Sequence, residues 1–580
     1  MYATTWRTSP REFGVIVERH VRIPVSDGVT LDADIYRPDA VGTFPALLGI
    51  HAYDGAMQST PARPRAMNGE NAQAEAGDPY YYARRGYAHA IVNARGTGAS
   101  DGKYTHYGPQ DVDDGVAIIA WLAEQPWCTG GVGLFGASYF SVVAKQIAAR
   151  NPPALKAVFA PFGYTDFYRD KFYHGGILAR TFLTSWSRHL AGVRVEGWSR
   201  EHLGTEEYER RLTNLRADAD IMAVPELAAA LAAPDAGPNP LIVDVLMNPL
   251  DGPYWHERNP DLDAIRVPIV LGACWSMYGL HLPGEFRAWS RVQAPKKLIV
   301  GPPVYLDRPI YQYAAQSLRW FDHWLKGNDT GYLDEPPVQL FLPGDTGSWL
   351  DADEWPLPDT RWHSFFLHSG GLLSEHEFWP YEGATSYQDN LFNERGAVTF
   401  TTPPLVERTE VVGPATVTLY AATTDDELLL FVSLWVVDTD DSRHILTRGW
   451  LRGSLREVDE AASTPWLREH TFTANKPVVP GEAHRYELSL TPTAHVFKPG
   501  QRVQVQISSA DTDETGTFLD LLAQGHLLRR HPSWVSVLHD ADHPSELALP
   551  ILNGNRIGTY LSGGVRAPRP GGQPSGRDGW

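Results

Sequence analysis

Hydrophobic and polar positions alternate near the start of the chain, then change rhythm twice. Val21, Ile23 and Val25 alternate with polar neighbours, Asp27-Gly28 supplies a turn, and Val29, Leu31, Ala33 and Ile35 alternate again. That pattern predicts an antiparallel hairpin. The apolar runs that follow, at 45–50, 88–92, 132–135, 155–159, 268–273 and 297–300, are too continuous for strands with one wet face. Helical periodicity at 111–124 and 139–150 separates several of them. Strand, helix, strand in that order predicts an α/β domain with a mostly parallel sheet buried on both faces. From about 165 to 255 helical stretches take over, including 206–215 and 225–233, as expected of a helical cap inserted over the strand ends. An amphipathic helix at 318–326 closes the domain.

Beyond about 335 the segments become short and alternating, at 416–420, 428–437, 486–490 and 503–508, with Pro and Gly between them. This is the signature of a sandwich or jelly roll. The expected organisation is an α/β domain over 1–340, a β jelly-roll domain over 341–562 and a disordered Gly/Pro/Arg-rich tail over 563–580. A length of 580 residues independently argues against a single core.

Composition narrows the function. A net charge of -19 excludes a phosphate-rich partner such as nucleic acid or an anionic membrane surface. Cys128 and Cys274, the two cysteines, form neither a disulfide framework nor a metal-ligand spacing, so a reducing cytoplasm and no metal or other cofactor are expected. The first 13 residues are polar and lack the apolar centre of a secretory signal. No apolar run reaches the roughly 18 residues that span a bilayer. The expected partner is a small-molecule substrate, with a homodimer left open.

Candidate chemistry enters at Val132-Gly133-Leu134-Phe135-Gly136-Ala137-Ser138-Tyr139-Phe140, where a buried strand runs straight into a helical pattern. A nucleophile elbow needs this strained strand-to-helix turn to lift a serine Oγ clear of the sheet. Gly136 precedes Ser138 by two, but Phe140 stands where the G-x-S-x-G pattern has its second glycine. Read locally, Ser138 is either a nucleophile or a serine capping a helix.

Longer stretches add a resemblance. Asn93-Ala94-Arg95-Gly96-Thr97-Gly98-Ala99-Ser100-Asp101-Gly102, Gln125-Pro126-Trp127-Cys128, Gly136-Ala137-Ser138-Tyr139 and Arg319-Trp320-Phe321-Asp322-His323-Trp324-Leu325-Lys326-Gly327 occur in order. They are followed by Glu354-Trp355-Pro356-Leu357-Pro358, Arg448-Gly449-Trp450-Leu451-Arg452 and His495-Val496-Phe497-Lys498-Pro499-Gly500. Together they resemble the cocaine esterase and X-Pro dipeptidyl-peptidase-like hydrolase family along nearly the whole chain. The resemblance implies an α/β-hydrolase domain with a helical cap and a C-terminal jelly roll. It also implies an oxyanion donor at Tyr53, with the backbone N–H of Tyr139 as the second donor, and places His174 at the entrance to the cap.

The same resemblance exposes a gap. A serine nucleophile needs a base and an acid that orients it. In Cys274-Trp275-Ser276-Met277-Tyr278-Gly279-Leu280-His281 the family's acid position holds Met277, and its two alternative base positions hold Val300 and Tyr305. Candidate substitutes are His174, His51, His281, Glu285 and Asp307, with Tyr305 as a proton-transfer group. Three readings follow. The first is an acyl-transfer enzyme, hydrolase or acyltransferase, working on a bulky ester, amide or thioester through Ser138 with an atypical base. The second is a lyase, cyclase or isomerase on the same scaffold, and the third is an inert binding protein.

Overall fold

The computed structural model describes residues 7–53, 75–302, 313–377, 379, 382–390, 396–511 and 525–554. Contacts divide the chain into two units. The first holds residues 1–170, 182–248 and 252–339, and the second holds 171–181, 249–251 and 340–580.

The first unit is an α/β-hydrolase domain. The opening hairpin forms from β1 (Gly14–Pro24) and β2 (Thr30–Asp39), with Val21 opposite Ala33 and Ile23 opposite Leu31. β3 (Phe44–His51), β4 (Ala88–Asn93), β5 (Cys128–Phe135), β6 (Leu155–Phe159), β7 (Ile269–Cys274) and β8 (Lys296–Gly301) then run parallel to one another. Across the sheet these eight follow the order β1-β2-β4-β3-β5-β6-β7-β8. Every residue of β7, and every residue of β3 after Phe44, is buried, which is why these strands read as unbroken apolar runs. The crossovers include α1 (Pro109–Ala123), α2 (Tyr139–Ala148) and α3 (Leu282–Arg291). Helices at Arg180–His189, Trp198–Leu203, Thr205–Ala217, Pro225–Ala232 and Asn239–Met247 lie between β6 and β7 in the chain and form the inserted cap.

The 93–102 segment that carries part of the family resemblance fastens this domain. Arg95 donates two hydrogen bonds to Asp114 of α1 (2.9 and 2.6 Å) and a third to Asp27 in the hairpin turn (2.7 Å). Both Arg95 and Asp114 are buried, so the forked geometry replaces the water each has lost.

The second unit is the C-terminal jelly-roll β domain. Its strands pair almost wholly antiparallel. Thr409–Thr423 lies against His484–Phe497, and the fully buried Leu429–Val437 lies between Arg443–Arg452 and Arg502–Ser508. Ile177 packs in this unit with Leu429 and Phe431. Cys128 and Cys274 are both buried and are not disulfide-bonded to each other. Among the described residues no helix is long and apolar enough to cross a membrane, and no group of three or more metal-ligating side chains is found. The 563–580 tail lies outside the described residues.

Candidate active site

β5 delivers the chain to a turn that few side chains tolerate. Gly136 takes φ +143°, and a Cβ there would come within 2.4 Å of the Phe140 Cβ. Ser138 itself stands at φ 56°, ψ -118°. Its side chain makes no capping bond to α2, so the plain helix-cap reading does not describe it. A non-glycine residue in such a region is strained and persists only where its surroundings over-determine it. Here the fixtures are backbone bonds: Ala137 N–H to the Glu75 carbonyl (2.9 Å), Ser138 N–H to the Phe162 carbonyl (3.0 Å) and Gly136 N–H to the Phe159 carbonyl (3.2 Å).

Phe140, the departure from the glycine pattern, is accommodated from the neighbouring strand. A Cβ on Gly49 of β3 would lie 2.9 Å from the Phe140 Cδ1 and 3.2 Å from the Phe135 carbonyl, so the bare backbone of Gly49 makes room for the ring. The glycine missing after the serine has its counterpart one strand away.

The residue that sequence reasoning missed is Glu75. The Tyr53 and Ser138 hydroxyls act on its carboxyl as hydrogen-bonding groups, each holding its pKa down. Burial pushes its pKa up from 4.5 to about 8, and the two hydroxyl bonds offset only part of that rise. Glu75 is placed by its own backbone, whose carbonyl takes the Ala137 N–H of the elbow. Two residues on, Gly77 sits so close to the sheet that a Cβ would be 2.7 Å from the Phe135 ring. Nothing in the periodicity around 75 marks it. The usable signal is an acidic residue just before Gly77-Asp78-Pro79, where Asp78 caps a helix that begins at Pro79.

Tyr53 follows β3 and is buried. Its backbone N–H donates to the His51 Nδ1 (3.1 Å), so His51 orients the tyrosine's backbone. The Tyr53 ring meets Tyr139 edge-on (5.7 Å between centroids) and Trp186 of the first cap helix edge-on (5.5 Å). Trp186 also lies parallel to Tyr139 (6.3 Å). Tyr139 opens α2, where backbone N–H groups have no acceptor within the helix. Its phenol is driven well above its ordinary pKa by burial, reinforced by the Asp111 charge. The serine thus stands beside a carboxyl and a phenol under an aromatic cover, and Ser138 itself stays partly exposed.

The other candidates are placed as follows. Met277 and Val300 are buried, at 1 % and 0 % exposure. His281 stacks on Tyr164 (6.1 Å, 9° between planes) and meets Phe162 edge-on. Glu285 is engaged by Lys145 at 2.8 Å. His174 belongs to the second unit, where its Nδ1 lies 3.0 Å from the His526 Nε2 and its ring stacks on Trp450. His526 in turn contacts Asp511 through Nδ1 (2.9 Å). Tyr305 and Asp307 lie outside the described residues.

Comparison with known proteins agrees with this architecture. The family profile described as X-Pro dipeptidyl-peptidase (S15 family) matches residues 27–304. That of the X-Pro dipeptidyl-peptidase C-terminal non-catalytic domain matches residues 330–547. The chain is 27% identical to the cocaine esterase of a Rhodococcus species, over 92% of this chain and 98% of that protein. Among solved structures it is similar to a CocE/NonD family hydrolase from Staphylococcus aureus, with TM-score 0.77 and 23% identity, over 93% of this chain and 94% of the other. It is also similar to an alpha-amino acid ester hydrolase, with TM-score 0.73 and 19% identity, over 94% and 97% of the two chains. With both of its domains matched in order, the chain belongs to the X-Pro dipeptidyl-peptidase-like family of α/β-hydrolases, which includes the cocaine esterase.

Proposed function

We propose that the protein is a serine hydrolase or acyltransferase for a bulky apolar acyl compound, in which Glu75 does the proton transfer that a histidine performs in a Ser-His-Asp triad. The carrying observation is that the Ser138 and Tyr53 hydroxyls both act on the Glu75 carboxyl, which supports a shared proton path among the three. In the ionised form Glu75 accepts the Ser138 proton as Oγ attacks the acyl carbon. The carbonyl oxygen becomes an oxyanion, held by the Tyr53 hydroxyl and the Tyr139 N–H. Glu75 returns the proton to the leaving oxygen or nitrogen as that bond breaks, leaving an acyl-serine. It then takes a proton from water, or from an acceptor alcohol or amine, whose attack breaks the Oγ–acyl bond and releases the acyl group as Glu75 returns that proton to the Ser138 Oγ.

A pKa of about 8 suits this cycle, since a base works best when it titrates near the working pH. The cover of Tyr53, Tyr139 and Trp186 favours an apolar acyl group and excludes water, which strengthens the hydrogen bonds to the oxyanion.

A second reading is favoured by buried Met277 and Val300 at the family's acid and base positions. In it Glu75 removes a proton from substrate carbon, and Tyr53 and Ser138 serve only as donors to the resulting enolate. Labelling with a fluorophosphonate, followed by peptide mass spectrometry, separates the two. The first reading expects an adduct on Ser138, formed at a rate that rises with pH through about 8 and is lost in Glu75→Gln. An unlabelled Ser138, with turnover of the true substrate surviving in Ser138→Ala, would establish the second.

A further inference from the structure

A buried ion pair joins the elbow helix α2 to α3. The Lys145 and Glu285 side chains are each 0% exposed and meet at 2.8 Å. Lys145, on α2, uses its three ammonium hydrogens on the Glu285 carboxylate, the Ser141 hydroxyl (2.7 Å) and the Ala160 carbonyl (2.9 Å). Glu285, on α3, accepts from the backbone N–H of Gly163 and from that of Gly272 on β7 (3.3 Å). Gly163 has no room for a side chain, since a Cβ would be 2.4 Å from the Lys145 Nζ and 2.5 Å from the Ser141 Oγ.

What lies between these anchors is Phe162. Like Ser138 it is a non-glycine residue at positive φ, 58° against 56°. Its N–H donates to the Gly272 carbonyl (2.6 Å), and its carbonyl receives the Ser138 N–H (3.0 Å). Two strained residues, on different segments, are therefore joined by a single hydrogen bond. The residues on either side of that joint, Gly163, Gly272, Ser141 and Ala160, are all bonded to the one ion pair.

We infer that Lys145 and Glu285 are positioning residues for Ser138: their ion pair clamps the 160–163 segment against α2 and β7, and so holds the Phe162 carbonyl where it fixes the strained conformation of the serine. This rests on the reading of Ser138 as the nucleophile. Stability alone is a weak reason for such a pair, because apolar residues of similar volume often replace a buried ion pair without loss. The same fact supplies the test. Lys145→Met/Glu285→Leu removes both charges and the acceptors for Gly163 and Gly272 while leaving Glu75, Tyr53 and Ser138 untouched.

The double variant is expected to melt within a few degrees of wild type and to label with fluorophosphonate about 10–100-fold more slowly, the scale of a reacting atom misplaced by a fraction of 1 Å to about 1 Å. The pH midpoint of labelling should stay near 8, because Glu75 is unchanged. Lys145→Met/Glu285→Gln, which retains one carbonyl acceptor, should recover part of the rate. It also serves as the working variant should the leucine form not fold. Amide hydrogen exchange over 136–142 and 160–165 provides a readout independent of chemistry and should accelerate at least tenfold in the charge-removed variant. A folded variant with wild-type labelling and wild-type exchange overturns the inference. If wild type itself does not label, the nucleophile reading fails, and exchange at the Ser138 and Phe162 segments still decides whether the pair positions them.

Discussion

Replacing Glu75 by glutamine should stabilise the protein while disabling it, and the stabilisation should grow with pH. The residue is half-buried with its Oε2 shielded from water, and the pKa of the carboxyl rises from 4.5 to about 8 on folding. The folded state therefore holds this proton more tightly than the unfolded chain does. Below pH 4.5 both states are protonated and nothing is lost. Between 4.5 and about 8 the unfolded chain ionises freely while the folded protein resists, so wild type loses stability as pH rises through that window. At about 1.4 kcal/mol per pH unit, the full window corresponds to an effect of about 5 kcal/mol. Glutamine keeps the size of the side chain but does not titrate. The unfolding free energy of Glu75→Gln relative to wild type should thus increase from about pH 5 to about pH 9 and then level off, with a melting-point difference of roughly 5–10 °C at the alkaline end. Scanning calorimetry of both proteins across that range, with the change in Ser138 labelling measured in parallel, is the assay. A melting-point difference that stays flat with pH would mean that Glu75 is not held protonated by burial, and the assignment of the base would lose its physical basis.

Tyr53→Phe should lower p-nitrophenyl ester turnover about 10²–10³-fold, as loss of one oxyanion donor does, with melting little changed; full activity would remove Tyr53 from that role. Gly49→Ala should destabilise by about 1–3 kcal/mol through contact with Phe140 and the Phe135 carbonyl. In a Phe140→Ala background the same Gly49→Ala change should cost less in a urea titration, because the ring it strikes is gone. Arg95→Ala strands the buried Asp114 carboxylate and should cost about 3–5 kcal/mol by the same measurement.

The parallel sheet was legible because its strands are buried on both faces, and continuous apolar runs such as those in β3 and β7 record that directly. The elbow was legible from Gly136 and Ser138 between a strand and a helix. Glu75 was not. Its position depends on a backbone bond to Ala137, and no local pattern encodes a bond between segments that meet only in the folded chain. Glu285 stood out in sequence as a carboxylate close to Met277, but its partner Lys145 lies 140 residues earlier, so a candidate base and half of a clamp looked alike. Phe140 read as a flaw in the motif because the space it needs is provided by Gly49, on another strand.

The assignment of residues 171–181 to the second unit has a consequence for how the protein is made. This short stretch leaves the ribosome between parts of the first unit, yet the His526 that bonds to His174 is translated 352 residues later. At about 5–20 residues per second, the stretch must wait roughly 20–70 s for its partner to exist. The nascent first unit therefore carries an unsatisfied segment through much of synthesis, and no cut of the gene at a single point can separate the two units cleanly. Recombination that swaps C-terminal halves between relatives should succeed only where residues 171–181 travel with the half they pack against.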